Sequence, residues 1–476
     1  MNKTEFDICV IGGGAAGLVV AAGGASLGAK VALVEKHKMG GDCLHYGCVP
    51  SKTLLQSARV AHNMTHADGF AIQGHTPRPD ISAVMERVAR VIKSIEPHDS
   101  PERFRELGVE VVLGAGQFTD PGSFNVNGRQ LRARHFVIAT GSRPAIPAID
   151  GIADTPYLTN EQIFALREPV DSLIVIGGGP IGIEMAQAFG RLGSKVYVVQ
   201  QGPQILARED PDMAEVVAKQ LQKEGVELLT DHQPIKVEGG KGDIRLRLRD
   251  ASGNEKTINA THLLLAAGRR PNSENLGLEA AGVALQNGRI ITDARLRTRN
   301  KRIFAAGDVV GGPQFTHMAE HHAGVVLRNT IFRLPAKVET KVIPWATFSE
   351  PELARVGLSE TEARQQSIQH KVYSFAFQDM DRAKTDGTTE GFAKIITNPK
   401  GKLLGAAIVG PHAGELIHEY VLAIAKGMTA ADLSSVIHIY PTLAQINRRV
   451  ADARMKDALT PTVKKWIKRI FALRGT

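Results

Sequence analysis

Residues 41–52 of this 476-residue chain read GDCLHYGCVPSK and hold two of its three cysteines, Cys43 and Cys48. Two thiols this close suit three kinds of chemistry: metal binding, a structural disulfide or a redox switch. A zinc site is disfavoured, because the two thiolates have no further cysteine ligands and we expect no HxxxH or CxxC companion nearby. The spacing alone leaves a fourth interpretation open, a reduced pair without function.

Helix geometry restricts where this pair can lie. Residues five apart in an ideal helix have Cα atoms about 8–9 Å apart, whereas a disulfide needs about 4.4–6.8 Å. We therefore expect Gly47 and Pro50 to bend the chain into an irregular turn, after which SKTLLQSARVAHNM predicts a helix capped by Ser51. The pair would then lie at a helix N-terminus, where the dipole lowers the pKa of a thiol.

A glycine-rich pattern that is able to position cofactors occurs twice. Residues 7–35 read as an apolar strand, a GxGxxG turn, a small-residue helix and a second strand, and residues 171–200 repeat this order. In a dinucleotide-binding fold the first glycine makes the tight turn, the second lets the backbone approach a pyrophosphate, and the third lets the helix pack on the strand. The six glycines are Gly12, Gly14 and Gly17 in the first copy and Gly177, Gly179 and Gly182 in the second.

The two copies differ in the residue that ends the second strand. The first copy ends in Glu35, an acid suited to a ribose hydroxyl, and the second ends in Gln200. An acid at the second position would favour NAD, whereas Gln200 favours neither coenzyme and nearby Arg208 is only a candidate phosphate partner, so the coenzyme preference stays open. Two such units predict two dinucleotides placed against each other for hydride transfer.

Composition and charge narrow the class of protein. Forty-eight glycines and 5% aromatic residues favour an α/β protein of two or three domains. The formal charge of +9 does not indicate nucleic-acid binding, because residues 448–476 hold nine Lys or Arg and two Asp, a net charge of +7. Three cysteines argue against a disulfide scaffold. MNKTEFD has no basic region or cleavage site, and no apolar stretch reaches the length of a membrane span, so we expect a cytoplasmic protein.

Five motifs in order resemble the class I pyridine nucleotide-disulfide oxidoreductases. They are GGDCLHYGCVPSK, the first GxGxxG with its acid, FVIATGSRP (136–144), LLLAAGRRPN (263–272) and IFAAGDV, which ends near Asp308. Within this class the chain is similar to dihydrolipoamide dehydrogenase and mercuric reductase. The similarity covers essentially the whole chain, including PWATFSEPELARVGLSE (344–360), which resembles the start of the family's dimerisation domain.

The resemblance implies an α/β fold with two Rossmann-like dinucleotide-binding domains, for FAD and NAD(P), and a C-terminal α+β dimerisation domain. The expected FAD domain spans residues 1–150 and 271–340, the NAD(P) domain 151–270 and the interface domain 341–476. The resemblance also implies a homodimer, in which the C-terminal motif of one subunit completes the site of the other.

Residue roles follow from the same resemblance. Cys43 and Cys48 are expected to form a redox-active disulfide, with Cys43 towards the substrate and Cys48 against the flavin. Lys52 is expected beside the flavin's reactive nitrogen and Glu184 near the nicotinamide, as an ion pair, because each would be costly to bury alone. No resident metal is expected. The other positions expected at the cofactors are Gly41, Ala115, Thr140, Gly141, Gly268, Asp308 (flavin ribitol) and Thr316 (flavin-proximal backbone).

One departure from the family concerns proton transfer. Disulfide-reducing members end in an HPTxSE-type motif, in which the His is the general acid and base and the Glu orients it. Here HIYPTLAQI has Tyr440 at the His position and Gln445 at the Glu position. Neither serves near neutral pH, because an unperturbed Tyr has a pKa of about 10 and Gln does not titrate. His438 would replace the acid only if this stretch is a strand that aims it like Tyr440; otherwise it is a structural histidine.

These observations predict an NAD(P)H- and FAD-dependent reductase of a small disulfide or a thiol-bound soft metal ion. Mercuric reductases normally add a C-terminal cysteine pair, which this chain lacks, since Cys48 is its last cysteine. The alternative is a lipoamide-dehydrogenase-like docking subunit of a larger complex, or a membrane-associated electron-transfer flavoprotein. The tail TPTVKKWIKRIFALRGT predicts a basic amphipathic helix, which contacts an anionic membrane, an acidic partner or its own dimer.

Overall fold

The computed structural model describes residues 4–475, so the expected domain limits at residues 1 and 476 lie outside the described residues. The first strands and helices, in chain order, are β1 (Phe6–Ile11), α1 (Ala15–Ser26), β2 (Val31–Glu35), α2 (Gly41–His45), α3 (Cys48–Thr65), α4 (Ile81–Ile95), α5 (Pro101–Glu106), β3 (Glu110–Leu113), β4 (Gly116–Asp120), β5 (Ser123–Val126), β6 (Arg129–Ile138) and β7 (Ser142–Pro144). Parallel strands form a sheet in the order β3-β2-β1-β6, and β6 continues into an antiparallel ribbon with β5 and β4. The strands β1 and β2 are almost wholly buried, as expected for parallel strands covered on both faces.

The second unit repeats this topology. Its elements are β8 (Ser172–Ile176), α6 (Pro180–Arg191), β9 (Lys195–Val199), α7 (Pro211–Lys223), β10 (Glu227–Leu229), β11 (His232–Gly240), β12 (Asp243–Asp250), β13 (Glu255–Ala260) and β14 (His262–Leu265). The parallel order β10-β9-β8-β14 matches β3-β2-β1-β6 of the first sheet. An antiparallel sheet of β11, β12 and β13 accompanies it.

The chain then returns to the first unit. The returning elements are β15 (Arg269–Pro271), β16 (Leu285–Gln286), β17 (Arg289–Ile290), β18 (Ile303–Ala305) and α8 (Thr316–Thr330). Strand β15 pairs with β7, and β18 adds to the first sheet beside β6. Helix α8 packs on α1, where a Cβ at Gly23 would lie 2.6 Å from Leu327 Cδ1, so the small residues of α1 permit this close contact.

The C-terminal part forms a separate antiparallel sheet covered by helices. Its elements are β19 (Pro344–Thr347), β20 (Glu352–Gly357), α9 (Glu360–Gln365), β21 (Lys371–Ala376), α10 (Asp381–Thr385), β22 (Phe392–Thr397), β23 (Leu403–Gly410), α11 (Ala413–Leu416), α12 (His418–Ala425), α13 (Ala430–Ser435), α14 (Gln445–Ala458) and α15 (Pro461–Ile470). The strand order is β19-β20-β23-β22-β21. Its core joins strand residues such as Ile408 to helix residues such as Tyr420 and Val450. Over residues 4–475, each helix is too short or too polar to cross a bilayer.

The expected Ser51 cap is wrong. Helix α2 ends at His45, the chain turns through Tyr46 and Gly47, and α3 already begins at Cys48. Gly47 therefore makes the bend, as expected, but Pro50 lies within the first turn of α3. A proline is tolerated there because the backbone N–H groups of the first turn have no partner inside the helix.

Candidate active site

The two GxGxxG turns have the same geometry and leave the same space open. A Cβ at Gly12 would lie 2.4 Å from Ala139 O, and one at Gly177 would lie 2.4 Å from Ala266 O. By contrast, a Cβ at Gly14 would meet nothing closer than 3.9 Å, and one at Gly179 would meet nothing within 4 Å. Packing thus requires the first glycine of each turn, whereas the second glycine faces open space that a bound ligand is able to fill.

The third glycines keep each helix close to its turn. A Cβ at Gly17 would lie 1.8 Å from Gly12 O, and one at Gly182 would lie 1.9 Å from Gly177 O. These two are the only predicted glycines of the turns that do not line the cleft described below. Their contacts agree with the packing role that the sequence pattern gives to this position.

Each turn also receives a side chain from the end of the second strand. Glu35 accepts hydrogen bonds from Gly13 N at 2.6 Å and from His37 N at 2.7 Å. Gln200 Oε1 accepts one from Gly178 N at 2.9 Å. Both side chains therefore hold the turn as well as facing the cleft, and in Gln200 this leaves the amide nitrogen for another acceptor.

A continuous cleft of about 2470 Å³ joins the two turns to the C-terminal sheet. The cleft runs between the strand ends of the two parallel sheets, so each of the two units forms one of its walls. The predicted site residues that line it are Gly12, Gly14, Glu35, Gly41, Cys43, Cys48, Lys52, Ala115, Thr140, Gly141, Gly177, Gly179, Glu184, Gln200, Gly268, Asp308 and Thr316.

Cys43 and Cys48 lie together on one wall of this cleft, both as thiols. The break between α2 and α3 permits their approach, because it removes the helical spacing that would hold them apart. Cys48 is the first residue of α3, and its Sγ lies 3.5 Å from the Thr316 hydroxyl on α8. The third cysteine, Cys9, is buried within β1.

The surroundings of the pair shift the pKa values of the two thiols in opposite directions. The hydrogen bond from Cys43 lowers the pKa of Cys48 to about 6, assisted by Thr316 and by the charge of Lys52, although burial opposes this shift. The pKa of Cys43 is raised, because it donates its proton to Cys48 and is itself partly buried. Cys48 is thus the sulfur that carries the negative charge near neutral pH, and Cys43 is the one that keeps its proton.

An ion pair crosses the cleft beside the cysteines. Lys52 Nζ on α3 lies 2.7 Å from Glu184 Oε2 on α6, and the ring of Phe348 lies 4.4 Å from the same ammonium. The other carboxylate oxygen of Glu184 accepts a hydrogen bond from Phe348 N at 3.0 Å. Glu184 is almost fully buried while about a third of the Lys52 side chain is exposed, so the positive end of the pair faces the cleft.

A polar cluster surrounds Asp308. Ser142 donates a hydrogen bond to Asp308 at 2.6 Å, and Arg269 Nε donates one to Ser142 at 2.7 Å. Arg269 also pairs with Asp42, next to Cys43, at 3.1 Å. Burial raises the pKa of Asp308, although the hydrogen bond from Ser142 and the charge of Arg269 partly oppose the shift.

The C-terminal candidates lie away from this cleft. Tyr440 donates a hydrogen bond to Asp381 at 3.1 Å, which raises the pKa of the phenol, and its side chain is exposed. The side chain of His438 is 6% exposed, with Nε2 3.0 Å from Glu419 and Nδ1 3.1 Å from Val436 O. The segment is not a strand, so it does not aim His438 like Tyr440.

Gln445 begins α14, and its backbone N–H bonds Thr442 O at 3.3 Å. The structure therefore brings Cys43, Cys48, Lys52 and Glu184 to one site of this chain but does not bring Tyr440, His438 or Gln445 there. The expectation that these three act from a partner subunit stays a prediction.

Several cleft residues were not anticipated from the sequence. Ser142 and Arg269 reach Asp308, and Asn160 Nδ2 bonds both Asp42 and Tyr46 O. Asp42 is an acid directly before Cys43, which is a sequence signal that could have identified it. Ser142 and Arg269 lie inside the motifs FVIATGSRP and LLLAAGRRPN, but those motifs do not indicate a contact with Asp308, and Asn160 carries no such signal. The Thr316 hydroxyl was missed because only its backbone was expected at the flavin.

Metal ligands are sparse in the described part of the chain. The expected absence of an HxxxH pattern is wrong, because His62 near the end of α3 and His66, the residue directly after the helix, have that spacing. His62 lies about 21 Å along the helix from Cys48, so the two histidines do not complete a site with the cysteines. The centroids of their rings are 4.1 Å apart, with the ring planes tilted by 30°. No group of three or more His, Cys, Asp or Glu within residues 4–475 is placed to hold a metal ion.

Fold and site together define an oxidoreductase with two dinucleotide units and a paired-thiol centre. The chain belongs to the pyridine nucleotide-disulphide oxidoreductases: the family model of that description matches residues 6–323, and that of its dimerisation domain matches residues 343–450. The predicted family and fold class are thereby confirmed. The dimerisation domain indicates a homodimer.

Similar proteins fall into two activity groups. Mercuric reductase from Bacillus cereus is 34% identical over 443 residues, which are 93% of this chain and 70% of that protein. Dihydrolipoyl dehydrogenase from Geobacillus stearothermophilus is 36% identical over 457 residues, 95% of this chain and 96% of that protein. Among solved structures, the Cu(II) complex of the HOCl-induced flavoprotein disulfide reductase RclA from Escherichia coli has a TM-score of 0.84 and 26% identity, covering 94% of this chain and 99% of that one.

FAD and NAD(P)H are the cofactors of this family, and the residues fit them. The open space in front of Gly14 and Gly179 suits a pyrophosphate at each turn, because a side chain there would fill it. Both turns lead directly into a helix, whose N-terminus favours a phosphate. The assignment of individual residues to each cofactor stays a prediction.

Proposed function

We propose that this chain is an FAD-dependent NAD(P)H oxidoreductase in which Cys43 and Cys48 form the redox-active pair, and whose acceptor is a thiol-bound soft metal ion rather than a free disulfide. The choice of acceptor rests on the segment 438–445, which lacks the acid and base that a disulfide acceptor needs. Tyr440 and Gln445 occupy the acid/base positions there, and both ring nitrogens of His438 face oxygen atoms of its own chain.

When bound, FAD supplies a two-electron relay between NAD(P)H and sulfur. Opening the Cys43–Cys48 disulfide consumes two electrons and one proton, and leaves a thiolate on one sulfur and a thiol on the other. The pKa directions support Cys48 as the thiolate and Cys43 as the thiol. Cys43 is then the sulfur that is not committed to the flavin side of the site, and it must release its proton before it exchanges with an acceptor.

Lys52 and Glu184 position charge beside this pair. The buried carboxylate of Glu184 fixes the ammonium of Lys52, whose positive charge stabilises the Cys48 thiolate. Because α3 carries both Cys48 and Lys52, the same helix holds the thiolate and its counter-charge one turn apart.

The two kinds of acceptor differ in their need for a proton. A disulfide acceptor needs a proton for its leaving thiolate, and loss of a positioned acid or base costs on the order of 10² to 10⁴ in rate. A soft metal ion needs no such proton, because thiolates bind it directly. Two sets of names support this choice: relatives called mercuric reductase, and a Cu(II) complex of a protein with the same fold.

The proposed enzyme is a homodimer in the cytoplasm. Ile437 and Ile439 are 91% and 78% exposed in the single chain, and a partner subunit would cover them. In this arrangement Tyr440 and Gln445 would reach the partner's cleft. The cytoplasmic location rests on the sequence observations alone.

The direct test compares acceptors with the purified flavoprotein. NADH and NADPH are each assayed with lipoamide, glutathione disulfide, and Hg²⁺ or Cu²⁺ held by a small thiol. We expect the metal complexes to give the fastest coenzyme oxidation, lipoamide a slow one and glutathione disulfide the slowest. A lipoamide rate equal to that of a dihydrolipoyl dehydrogenase assayed in parallel would overturn the choice of acceptor.

A pair of substitutions tests the missing acid and base. Tyr440→His with Gln445→Glu should raise lipoamide turnover about 10²-fold, because it restores a general acid that Glu orients. Tyr440→Phe is the matched control: it removes only the phenol and should leave lipoamide turnover unchanged. A large loss in Tyr440→Phe would show that the phenol already transfers the proton.

A second candidate function is a docking subunit that serves a lipoyl carrier. It is favoured by the dihydrolipoyl dehydrogenase relatives, which the chain matches over nearly their full length. This function predicts little turnover with any free acceptor and a large increase when a lipoyl domain is added. The acceptor assay therefore separates the two functions when it includes a lipoyl domain.

A further inference from the structure

Helix α15 (Pro461–Ile470) contributes no residue to the cleft that holds the cysteines. Thr460 caps it, with its side chain accepting a hydrogen bond from Val463 N, and Pro461 occupies its first turn. No residue of the helix is buried. It also lies beyond residue 450, where the match to the dimerisation domain ends.

The side chains of α15 divide into two faces. At 3.6 residues per turn, the large apolar residues fall within an arc of about 140°, and the basic residues fall on the opposite side. The apolar face consists of Val463, Trp466, Ile467 and Ile470, and Phe471, directly after the helix, extends it. The basic face consists of Lys464, Lys465, Lys468 and Arg469.

The exposure of the apolar face is large for side chains of this size. Trp466 is 57% exposed, Ile470 67% and Phe471 68%. From Thr460 to Gly475 the chain holds five cations, including Arg474, and no acid. A surface that is both apolar and uniformly cationic is suited to a partner that offers apolar contact and negative charge together.

We propose that α15 docks this enzyme on an anionic lipid surface. A bilayer offers negative headgroups and an acyl boundary in one plane, so it matches both faces without a preformed groove. An aromatic residue such as Trp466 is suited to that boundary, because its ring is apolar and its N–H is polar. This inference goes beyond the catalytic function and does not depend on the acceptor.

The geometry fixes how the helix would lie. Ten residues span about 15 Å, whereas crossing the hydrocarbon core takes about 20 residues. The helix therefore lies along the surface, with the basic side chains extending to the headgroups. A second copy of this chain is a weaker partner, because a two-fold contact between tails would place five cations against five.

The test is co-sedimentation of the purified flavoprotein with vesicles. One set contains phosphatidylglycerol and phosphatidylcholine in equal parts, and the other contains phosphatidylcholine alone. We expect at least about tenfold stronger binding to the anionic set, with release as salt is raised. Equal binding to the two sets, or none to the anionic set, overturns the proposal.

Two variants locate the binding. A chain that ends at Thr460 should lose vesicle binding and stay a dimer by light scattering. The variant Lys464→Gln, Lys465→Gln, Lys468→Gln, Arg469→Gln should lose at least about tenfold in affinity. Its matched control substitutes four exposed cations elsewhere, Lys223→Gln, Arg299→Gln, Lys301→Gln and Lys400→Gln, and should bind like the wild type.

Three outcomes contradict the proposal. Unchanged binding by the shortened chain means that another surface contacts the lipid. Dissociation of the shortened chain into monomers means that α15 packs on the partner subunit. Equal loss in the control variant means that only net charge matters.

Tryptophan fluorescence gives an independent readout. The chain has two tryptophans, and the half-buried Trp345 is held by a hydrogen bond to Glu209 at the cleft, away from α15, so it acts as an internal reference. Anionic vesicles should shift the emission of Trp466 to shorter wavelength. Trp466→Phe should abolish the shift, and a shift that survives in this variant overturns the insertion of this face.

Discussion

Cys48 is where most of the chemistry of this site is decided. Its sulfur begins a helix, receives a hydrogen bond from Cys43, and faces both the Thr316 hydroxyl and the Lys52 ammonium. All four features favour the thiolate over the thiol, and together they outweigh the burial that opposes charge. The same contacts leave Cys43 as the neutral thiol, which exchanges with an acceptor only after it loses its proton.

Removal of one hydroxyl should change the pKa of this thiolate. In Thr316→Val the hydrogen bond at 3.5 Å is lost, so the pKa of Cys48 should rise from about 6. The measurement is the long-wavelength thiolate-to-flavin absorbance of the two-electron-reduced enzyme as a function of pH. This absorbance is present above the pKa and disappears as the pH falls through it, so the midpoint should move to higher pH. Thr316→Ser is the control and should keep the wild-type midpoint.

Electron uptake should show whether the cysteines take part at all. Titration of the wild type with dithionite should consume four electrons per FAD, because the disulfide accepts two in addition to the flavin. Cys48→Ser should consume two and lose the long-wavelength band while retaining FAD. Cys43→Ser should also consume two but keep the band. Uptake of only two electrons by the wild type would show that the pair is redox-inactive.

At the scale of elements, the repeated turns were predictable and the cysteine turn was only partly so. Gly12 and Gly177 were found from spacing, because a backbone with no room for a Cβ leaves a glycine in the sequence. The start of α3 was misplaced at Ser51, since Cys48 and Val49 carry no capping signal and the first turn tolerates Pro50. Local sequence patterns specify the local backbone conformation, and they do not specify the side-chain contacts between elements.

Contacts between distant elements could not be predicted from the sequence. The Ser142–Asp308 hydrogen bond joins residues 166 positions apart. Its partners become neighbours through the pairing of β6 with β18, because the two strands end side by side just before these residues. The aim of His438 depended on whether its segment was a strand, which its alternation left undecided. Such features depend on the tertiary fold, so periodicity and motif spacing leave them open.

Substitution of two glycines of one turn should affect different properties, coenzyme binding at Gly179 and the free energy of unfolding at Gly182. A Cβ at Gly179 meets no protein atom within 4 Å, so Gly179→Ala should weaken NAD(P)H binding about tenfold and leave the free energy of unfolding unchanged. A Cβ at Gly182 would lie 1.9 Å from Gly177 O, so Gly182→Ala should lower that free energy by about 1–3 kcal/mol. Coenzyme titration and urea unfolding of both variants measure the contrast. Equal destabilisation by the two would contradict a ligand-facing role for Gly179.

For the whole molecule, buried polar contacts fix the C-terminal part against the second unit. Asp210 accepts hydrogen bonds from Glu360 N at 3.0 Å and from the Thr361 backbone and hydroxyl at 2.9 and 2.7 Å. Lys394, which is 2% exposed, lies 2.9 Å from the same carboxylate. Phe348 N bonds Glu184 in parallel. These contacts hold the part of the cleft wall that contains Phe348 in a fixed position against α6.

The stability of this junction should depend on acid in a defined range. Burial raises the pKa of Asp210, but the hydrogen bonds from Thr361 and the charge of Lys394 outweigh it and lower the pKa from 3.8 to about 2. Because the folded value lies below the unfolded one, the ionised carboxylate contributes about 2 kcal/mol, present above pH about 4 and lost as the pH falls towards about 2. Asp210→Asn should therefore be less stable than the wild type at neutral pH, and the difference should shrink over that range.

Urea unfolding at fixed protein and FAD concentration, repeated at several pH values, measures this difference. Asp154→Asn removes an exposed carboxylate of the same unit and should change the free energy of unfolding by less than about 0.5 kcal/mol at every pH. Lys394→Met leaves Asp210 buried without its cation and should cost about 3–5 kcal/mol at neutral pH. Protonation of Asp210 relieves that uncompensated charge, so the cost of Lys394→Met should also fall in acid. A cost that stays constant with pH would mean that lost packing, and not the buried charge, sets the stability of the junction.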